Sequence, residues 1–192
     1  MIERLRYRAL KWHAMARLVF EQRAVALRIF RQMLAEFPGD AYALASISHL
    51  QAHAGDRTAA LATMEELLAL HPQDGQHWFN YGFLLEADEQ FTQAEAAFRR
   101  ATELRPALDR AWYGLGLVLI RLGRLDEAIA ALKRNTQLQP MSPYGWYQLA
   151  RVHVERKEPD EARRIIGHLK RFEPKVAAQL ERETGLLVSP AS

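Results

Sequence analysis

The sequence predicts an all-α fold of antiparallel helix pairs, and three observations carry that prediction. Proline returns at a step of 34 residues, at Pro38, Pro72, Pro106, Pro140 and Pro174. Tryptophan keeps the same step at Trp78, Trp112 and Trp146, and alanine keeps it at Ala26, Ala60, Ala94, Ala128 and Ala162. Between successive prolines the apolar residues recur at helical spacing in two runs with a short break between them. The stretch 109–142 shows the unit most clearly. Trp112, Leu115, Gly116 and Leu119 form its first run, Leu122-Gly123-Arg124 the break, and Leu125, Ala128, Ile129, Leu132 and Leu138 the second. Pro140 stops the second run, since proline lacks the N–H that a helix interior needs.

A 34-residue helix-turn-helix unit with Trp, Leu-Gly, Ala and Pro at these offsets resembles the tetratricopeptide repeat. The resemblance covers residues 7–176 as five units, 7–40, 41–74, 75–108, 109–142 and 143–176. It implies a right-handed α-solenoid and a single domain spanning 1–192. It also implies a role, because arrays of this family are protein-interaction scaffolds.

Composition bounds the function further. Basic and acidic residues nearly balance, 26 against 23, so the pI near 9.3 does not point to a nucleic-acid partner. The balance varies along the chain. Residues 1–40 carry 8 basic and 4 acidic side chains, 41–108 carry 4 and 9, and 109–192 carry 14 and 10. There is no cysteine, hence no disulfide and no thiolate chemistry, which fits a reducing compartment. The longest apolar run, 114–120, is far too short to span a bilayer. The first twenty residues are basic and resemble a targeting or membrane-surface helix, but Lys11, His13 and Arg17 interrupt any signal-like apolar core. The reading preferred for them is the first helix of the first unit, in a cytoplasmic protein with no membrane contact. Abundant Arg and Ala suggest a bacterial source.

Taken in order, the first unit is the least typical. His13 and Ala14 replace the Leu-Gly pair and the turn near Glu21-Gln22 has neither Gly nor Pro, so one continuous helix through 20–24 stays open. In the second unit Asp40 and Asp56 are placed to cap its two helices, and Gly55 makes the turn between them. The third and fourth units carry the fullest pattern, with Trp78, Gly82, Leu85, Ala94 and Phe98 in one and the residues already given in the other. Thr92 and Glu95 read as a capping box. Gly82 and Gly116 mark places where two helices meet closely, and Asn135 puts a polar group where the pattern wants alanine. Ser142-Pro143 and Glu158-Pro159 open the helices of the fifth unit with proline at the first helical position. A capping helix follows at about 176–184, with Leu180 where other units have tryptophan, and 186–192 read as a frayed tail.

Within each first helix, unit positions 2, 5, 9, 12 and 13 fall opposite the packing face at 100° per residue. The family resemblance implies that they line a concave peptide-binding wall. Here they give Phe79 and Phe83 in the third unit, Arg110, Tyr113, Leu117 and Arg121 in the fourth, and Tyr144, Tyr147 and Arg151 in the fifth. Aromatic and arginine side chains are typical interface anchors, although some of these positions also serve packing on the next repeat. The residues a carboxylate-clamp subgroup would need are absent apart from Asn80 and the charge of Arg110. His49 and His53 have metal-compatible spacing on one helix but lack further ligands, so no metal or other cofactor is expected. No phosphate-binding loop and no Ser-His-Asp arrangement is present, so no catalytic residue is assigned. The expected function is a non-catalytic scaffold holding a protein or peptide that is apolar or aromatic with some acidic residues. The alternative is a self-associating assembly module, a homo-oligomer.

Overall fold

The computed structural model describes residues 1–188. All regular structure among them is helical, in eleven helices: α1 (Ile2–Val19), α2 (Arg23–Glu36), α3 (Ala41–His53), α4 (Arg57–Leu70), α5 (Gly75–Ala87), α6 (Phe91–Leu104), α7 (Asp109–Arg121), α8 (Leu125–Leu138), α9 (Pro143–Glu155), α10 (Pro159–Lys170) and α11 (Pro174–Thr184). The chain divides into two compact units, Met1–Glu89 and Gln90–Ser192.

In the first compact unit each helix packs on the next, from α1 to α5. Tyr7, Leu10, Ala14 and Leu18 of α1 meet Ala26, Ile29, Phe30 and Met33 of α2, with Ala43, Ile47 and Leu50 of α3 behind them. These two apolar faces bury each other only if the chain reverses between them. The open question about 20–24 is thereby answered: α1 and α2 are separate helices. The reversal needs one residue in the left-handed region, and Glu21 takes it with φ 56°. The same conformation returns at each 34-residue step, in Gly55, Glu89, Gly123 and Lys157. Glycine is suited to that backbone; Glu and Lys adopt it at a cost of about 1 kcal/mol.

The second compact unit runs from α6 to α11, again with each helix packed on the next. First helices also touch later ones, α7 with α9 and α9 with α11. Its core gathers Ile129, Leu132, Leu149, Val152, Ile166, Leu169 and, from α11, Ala177 and Leu180. Ala177 and Leu180 are fully buried, so α11 closes the apolar end of the α9–α10 pair. Residues 186–188, expected to fray, are tied back instead. Leu186 N–H donates to Thr184 Oγ1, Val188 N–H to Glu181 Oε1, and Lys170 Nζ to the Val188 carbonyl. Residues 189–192 of the expected tail lie outside the described residues.

Small buried residues recur at matching places in the helices of both compact units. Ala14, Ser48, Gly82, Gly116 and Ala150, again at a 34-residue step, are all buried and all small. So are Ala26, Ala60, Ala94, Ala128 and Ala162 in the second helices, each fully buried. In the α3–α4 pair the Ser48 hydroxyl donates to the Ala60 carbonyl at 2.8 Å. A Cβ on Gly116 would lie 2.7 Å from Leu132 Cγ.

Several local expectations are corrected by the geometry. Asp40 and Asp56 do cap α3 and α4, accepting from Ala43 and Ala59 N–H. The capping box at Thr92 and Glu95 does not form, and α6 starts without any side-chain cap. Glu95 instead accepts from Arg99 Nε at 2.7 Å and Arg124 Nη1 at 2.6 Å, and both arginines also bind Glu127. A half-buried ring of two arginines and two carboxylates outcompetes a cap bond because every member is charged and paired. Trp78, Trp112 and Trp146 are only half-buried. Each donates its indole N–H to the carbonyl of the proline six residues earlier, at 2.8–2.9 Å. The 34-residue spacing of Trp and Pro thus marks a side-chain lock on the loop between units, with the ring edge left open to solvent. Asn135, 5% exposed, donates from Nδ2 to the Asp109 carbonyl at 2.9 Å. Gly145 makes room for it: a Cβ there would sit 2.1 Å from Asn135 Oδ1.

Candidate functional site

The residues singled out by position divide between the two compact units. In the first, Phe83 projects from α5 with 58% of its surface exposed, while Phe79, one turn earlier, is half-buried.

In the second unit the remaining residues form two stripes. Tyr144, Tyr147 and Arg151 follow one another on α9 at spacings of three and four, which puts them on one side of the helix. Arg110, Tyr113, Leu117 and Arg121 do the same on α7, and α7 touches α9. Their exposure differs along each stripe. Tyr144 is 69% exposed, and Arg110, Arg121 and Arg151 are also exposed. Tyr113, Leu117 and Tyr147 are half-buried, and both tyrosines lean on the core cluster shared by α8–α11. The aromatic floor is therefore part packing and part open surface, and Tyr144 is its most accessible ring.

Two arginines sit near aromatic rings. The Arg151 guanidinium carbon is 5.7 Å from the centre of the Tyr147 ring, and that of Arg121 is 5.9 Å from Phe91. Contacts of this length are favourable but weak at exposed sites. They hold each planar group beside a ring, and the charge of Arg151 also reaches the Glu183 carboxylate.

A residue that the sequence analysis did not single out meets the α9 row. Glu183 of α11 accepts a 2.6 Å hydrogen bond from the Tyr147 hydroxyl. This bond, reinforced by burial, raises the Tyr147 pKa. The same bond, helped by Gln179, lowers that of Glu183. Tyr147 is thereby a fixed donor, its oxygen committed to α11. The signal for this role was Leu180, which docks α11 and brings Glu183 over the start of α9. The tail residues 186–188 run back along α10 and α11, where a Cβ on Gly167 would meet Val188 Cγ1 at 3.5 Å.

The paired histidines offer no metal centre. His49 and His53 lie edge to face with ring centres 6.5 Å apart, and Arg23 Nη1 approaches His53 Nδ1 at 3.4 Å. An arginine at that distance opposes a cation. Among the described residues no group of three or more His, Asp or Glu side chains is arranged to hold a metal. His77 escaped notice in the sequence. Its Nδ1 is buried without a partner, and burial lowers its pKa. Among the described residues no helix is long and apolar enough to cross a membrane.

Two family models match the chain, both described as tetratricopeptide repeat, over residues 21–80 and 84–140. No curated protein matches. Solved structures similar in fold include a tetratricopeptide repeat protein from Parabacteroides merdae, with a TM-score of 0.81 and 18% identity, covering 93% of this chain and 73% of that one. MamA from Desulfovibrio magneticus RS-1 matches with a TM-score of 0.78 and 21% identity over 92% and 96% of the two chains. YrrB, described as a TPR protein with an unusual peptide-binding site, matches with a TM-score of 0.76 and 19% identity over 88% of each.

Proposed function

We propose that this chain, which belongs to the tetratricopeptide repeat family, is a non-catalytic scaffold that holds a peptide segment of a partner protein along the α7 and α9 stripes. The observation that carries the reading is the row Tyr144, Tyr147 and Arg151 on α9. It combines an open ring, a ring fixed by Glu183 and a cation held against that ring. Membership of an interaction family supports it, as does the fold similarity to YrrB with its peptide-binding site.

The chemistry of the row sets the ligand. Rings with half-covered faces take apolar or aromatic side chains, and Arg110, Arg121 and Arg151 favour carboxylates through charge-assisted hydrogen bonds. The ligand is therefore an extended or helical segment with aromatic and acidic residues. Truncating the exposed ring should cost about 1–3 kcal/mol of binding if it is an anchor, whereas the arginines should chiefly set the association rate and its salt dependence.

The experiment is selection of peptides from a random displayed library on the wild-type protein, followed by titration of the best sequence. Tyr144→Ala and Arg151→Glu change exposed groups and should leave the melting temperature unchanged. The reading requires aromatic-acidic peptides and at least about tenfold weaker binding to both variants. Peptides that bind wild type and variants equally would move the site elsewhere. Light scattering that shows a dimer dissolved by the same substitutions would favour self-association.

A further inference from the structure

The outer face of α1 carries a feature that the proposed peptide site does not use. Ile2, Leu5, Ala9, Trp12, Ala16 and Val19 repeat at spacings of three and four, and all six are exposed. Leu5 is 61% and Trp12 71% accessible. At 100° per residue they fill one arc of about 100°. The core residues Tyr7, Leu10, Ala14 and Leu18 occupy the opposite side. The two edges of the apolar arc are cationic. Arg4, Arg8 and Lys11 lie along one, Arg6 and Arg17 along the other. Glu3 is the lone acid of α1 and lies toward the core side.

The cations are poorly neutralised. Arg6 pairs with Glu36, Lys11 sits 3.8 Å over the Tyr42 ring, and Arg17 bonds to His13 and Gln22. Arg4 and Arg8 form no ion pair within the described residues. We propose that this face of α1 docks on an anionic lipid surface, lying flat with the apolar arc in the headgroup boundary and the arginines among the phosphates. This peripheral contact departs from the expectation of no membrane partner and needs no spanning helix.

Charge decides among the possible occupants. A second copy of α1, parallel or antiparallel, would set cationic edges beside cationic edges, with Glu36 already paired to Arg6 and Glu3 toward the core side, which opposes pairing. An anionic bilayer meets both edges at once. Long basic side chains flanking a Trp-bearing apolar arc match the composition of interfacial helices. The face is also a ridge rather than a groove, and a fluid surface needs no complementary shape. α1 has 18 residues, so the arc is roughly 27 Å long at the helical rise of about 1.5 Å per residue.

The test is co-sedimentation of the full chain with vesicles of phosphatidylcholine containing about one-third phosphatidylglycerol, with pure phosphatidylcholine as control. Two variants accompany the wild type, Leu5→Glu with Trp12→Glu, and Arg4→Glu with Arg8→Glu. All four positions are exposed, and unchanged thermal melts confirm the fold. The proposal expects binding to the anionic vesicles, at least about tenfold weaker for each variant and for neutral vesicles, and reduced by salt. No binding by the wild type, or equal binding to neutral vesicles, overturns it. A dimer in light scattering that the first variant dissolves, without vesicle binding, overturns it in favour of a second copy. Binding to an acidic helical peptide but to no vesicle overturns it in favour of a protein partner. The peptide-selection experiment reads α7 and α9 and is independent of these results.

Discussion

Gly116→Ala is the substitution on which the packing account makes its sharpest demand. Helix propensity alone predicts a gain of about 1 kcal/mol, since alanine is the better helix former. The structure predicts a loss. The new Cβ would stand 2.7 Å from Leu132 Cγ and 2.8 Å from Cδ2, about 1 Å inside normal carbon contact. Leu132 is fully buried, and the nearest atom is its branch carbon, which cannot swing aside like a chain end. Overpacking of this kind costs about 1–3 kcal/mol; taking the upper half of that range and subtracting the propensity gain leaves a net loss of about 1–2 kcal/mol. A double-mutant cycle separates the two terms. Leu132→Ala alone should cost about 2–5 kcal/mol, and in the Gly116→Ala background its cost should fall by about 2–3 kcal/mol, the full clash term, because the clash has gone. Urea unfolding of the four proteins, followed by circular dichroism, gives each value. A stabilised Gly116→Ala with additive energies would refute the claim that the α7–α8 pair is set by this contact.

Three further outcomes follow from other parts of the fold. Gly123→Ala should lose about 1 kcal/mol for its positive φ alone, since no heavy atom lies near its Cβ position, and Lys157→Gly should gain up to about 0.5 kcal/mol; paired urea midpoints check both. Trp112→Ala should cost about 2 kcal/mol, less than a fully buried ring, because it loses half-covered area and one hydrogen bond to Pro106; a loss above about 4 kcal/mol in the same assay would contradict its half-exposed placement. Burial holds the His77 pKa below its ordinary 6.5. The unfolded chain therefore takes up the proton first, and stability falls as pH drops through that value until the folded protein also protonates. Melting temperatures of wild type and His77→Asn on both sides of that pH should show the smaller drop in the variant.

The repeat register and the helix pairs were legible because they rest on periodicity, which the sequence keeps at a step of 34 residues. What escaped the sequence depends on which partner a side chain chooses once neighbouring helices are in place. Glu95 had the right offset for a capping box, yet Arg124, 29 residues away, takes its carboxylate. Asn135 looked like a stranded polar group, but Gly145 and the Asp109 carbonyl, each on another helix, form its socket. The tryptophan spacing was legible, but spacing shows a facing direction and not how much of a ring edge remains wet. Glu21 is the converse case. Its turn has no sequence signal because the break is imposed by the burial of α1 on α2. At the candidate site, the stripe positions were legible from helical geometry, while the reach of Glu183 to Tyr147 depended on where α11 docks.

The most direct test of the scaffold reading is amide hydrogen exchange of the full chain with and without the peptide selected on it. The account predicts added protection concentrated in α7 and α9, strongest near Tyr144 and Arg151, with Tyr144→Ala abolishing it at the same peptide concentration. Protection confined to the second helices α8 and α10, or unchanged by Tyr144→Ala, would contradict it.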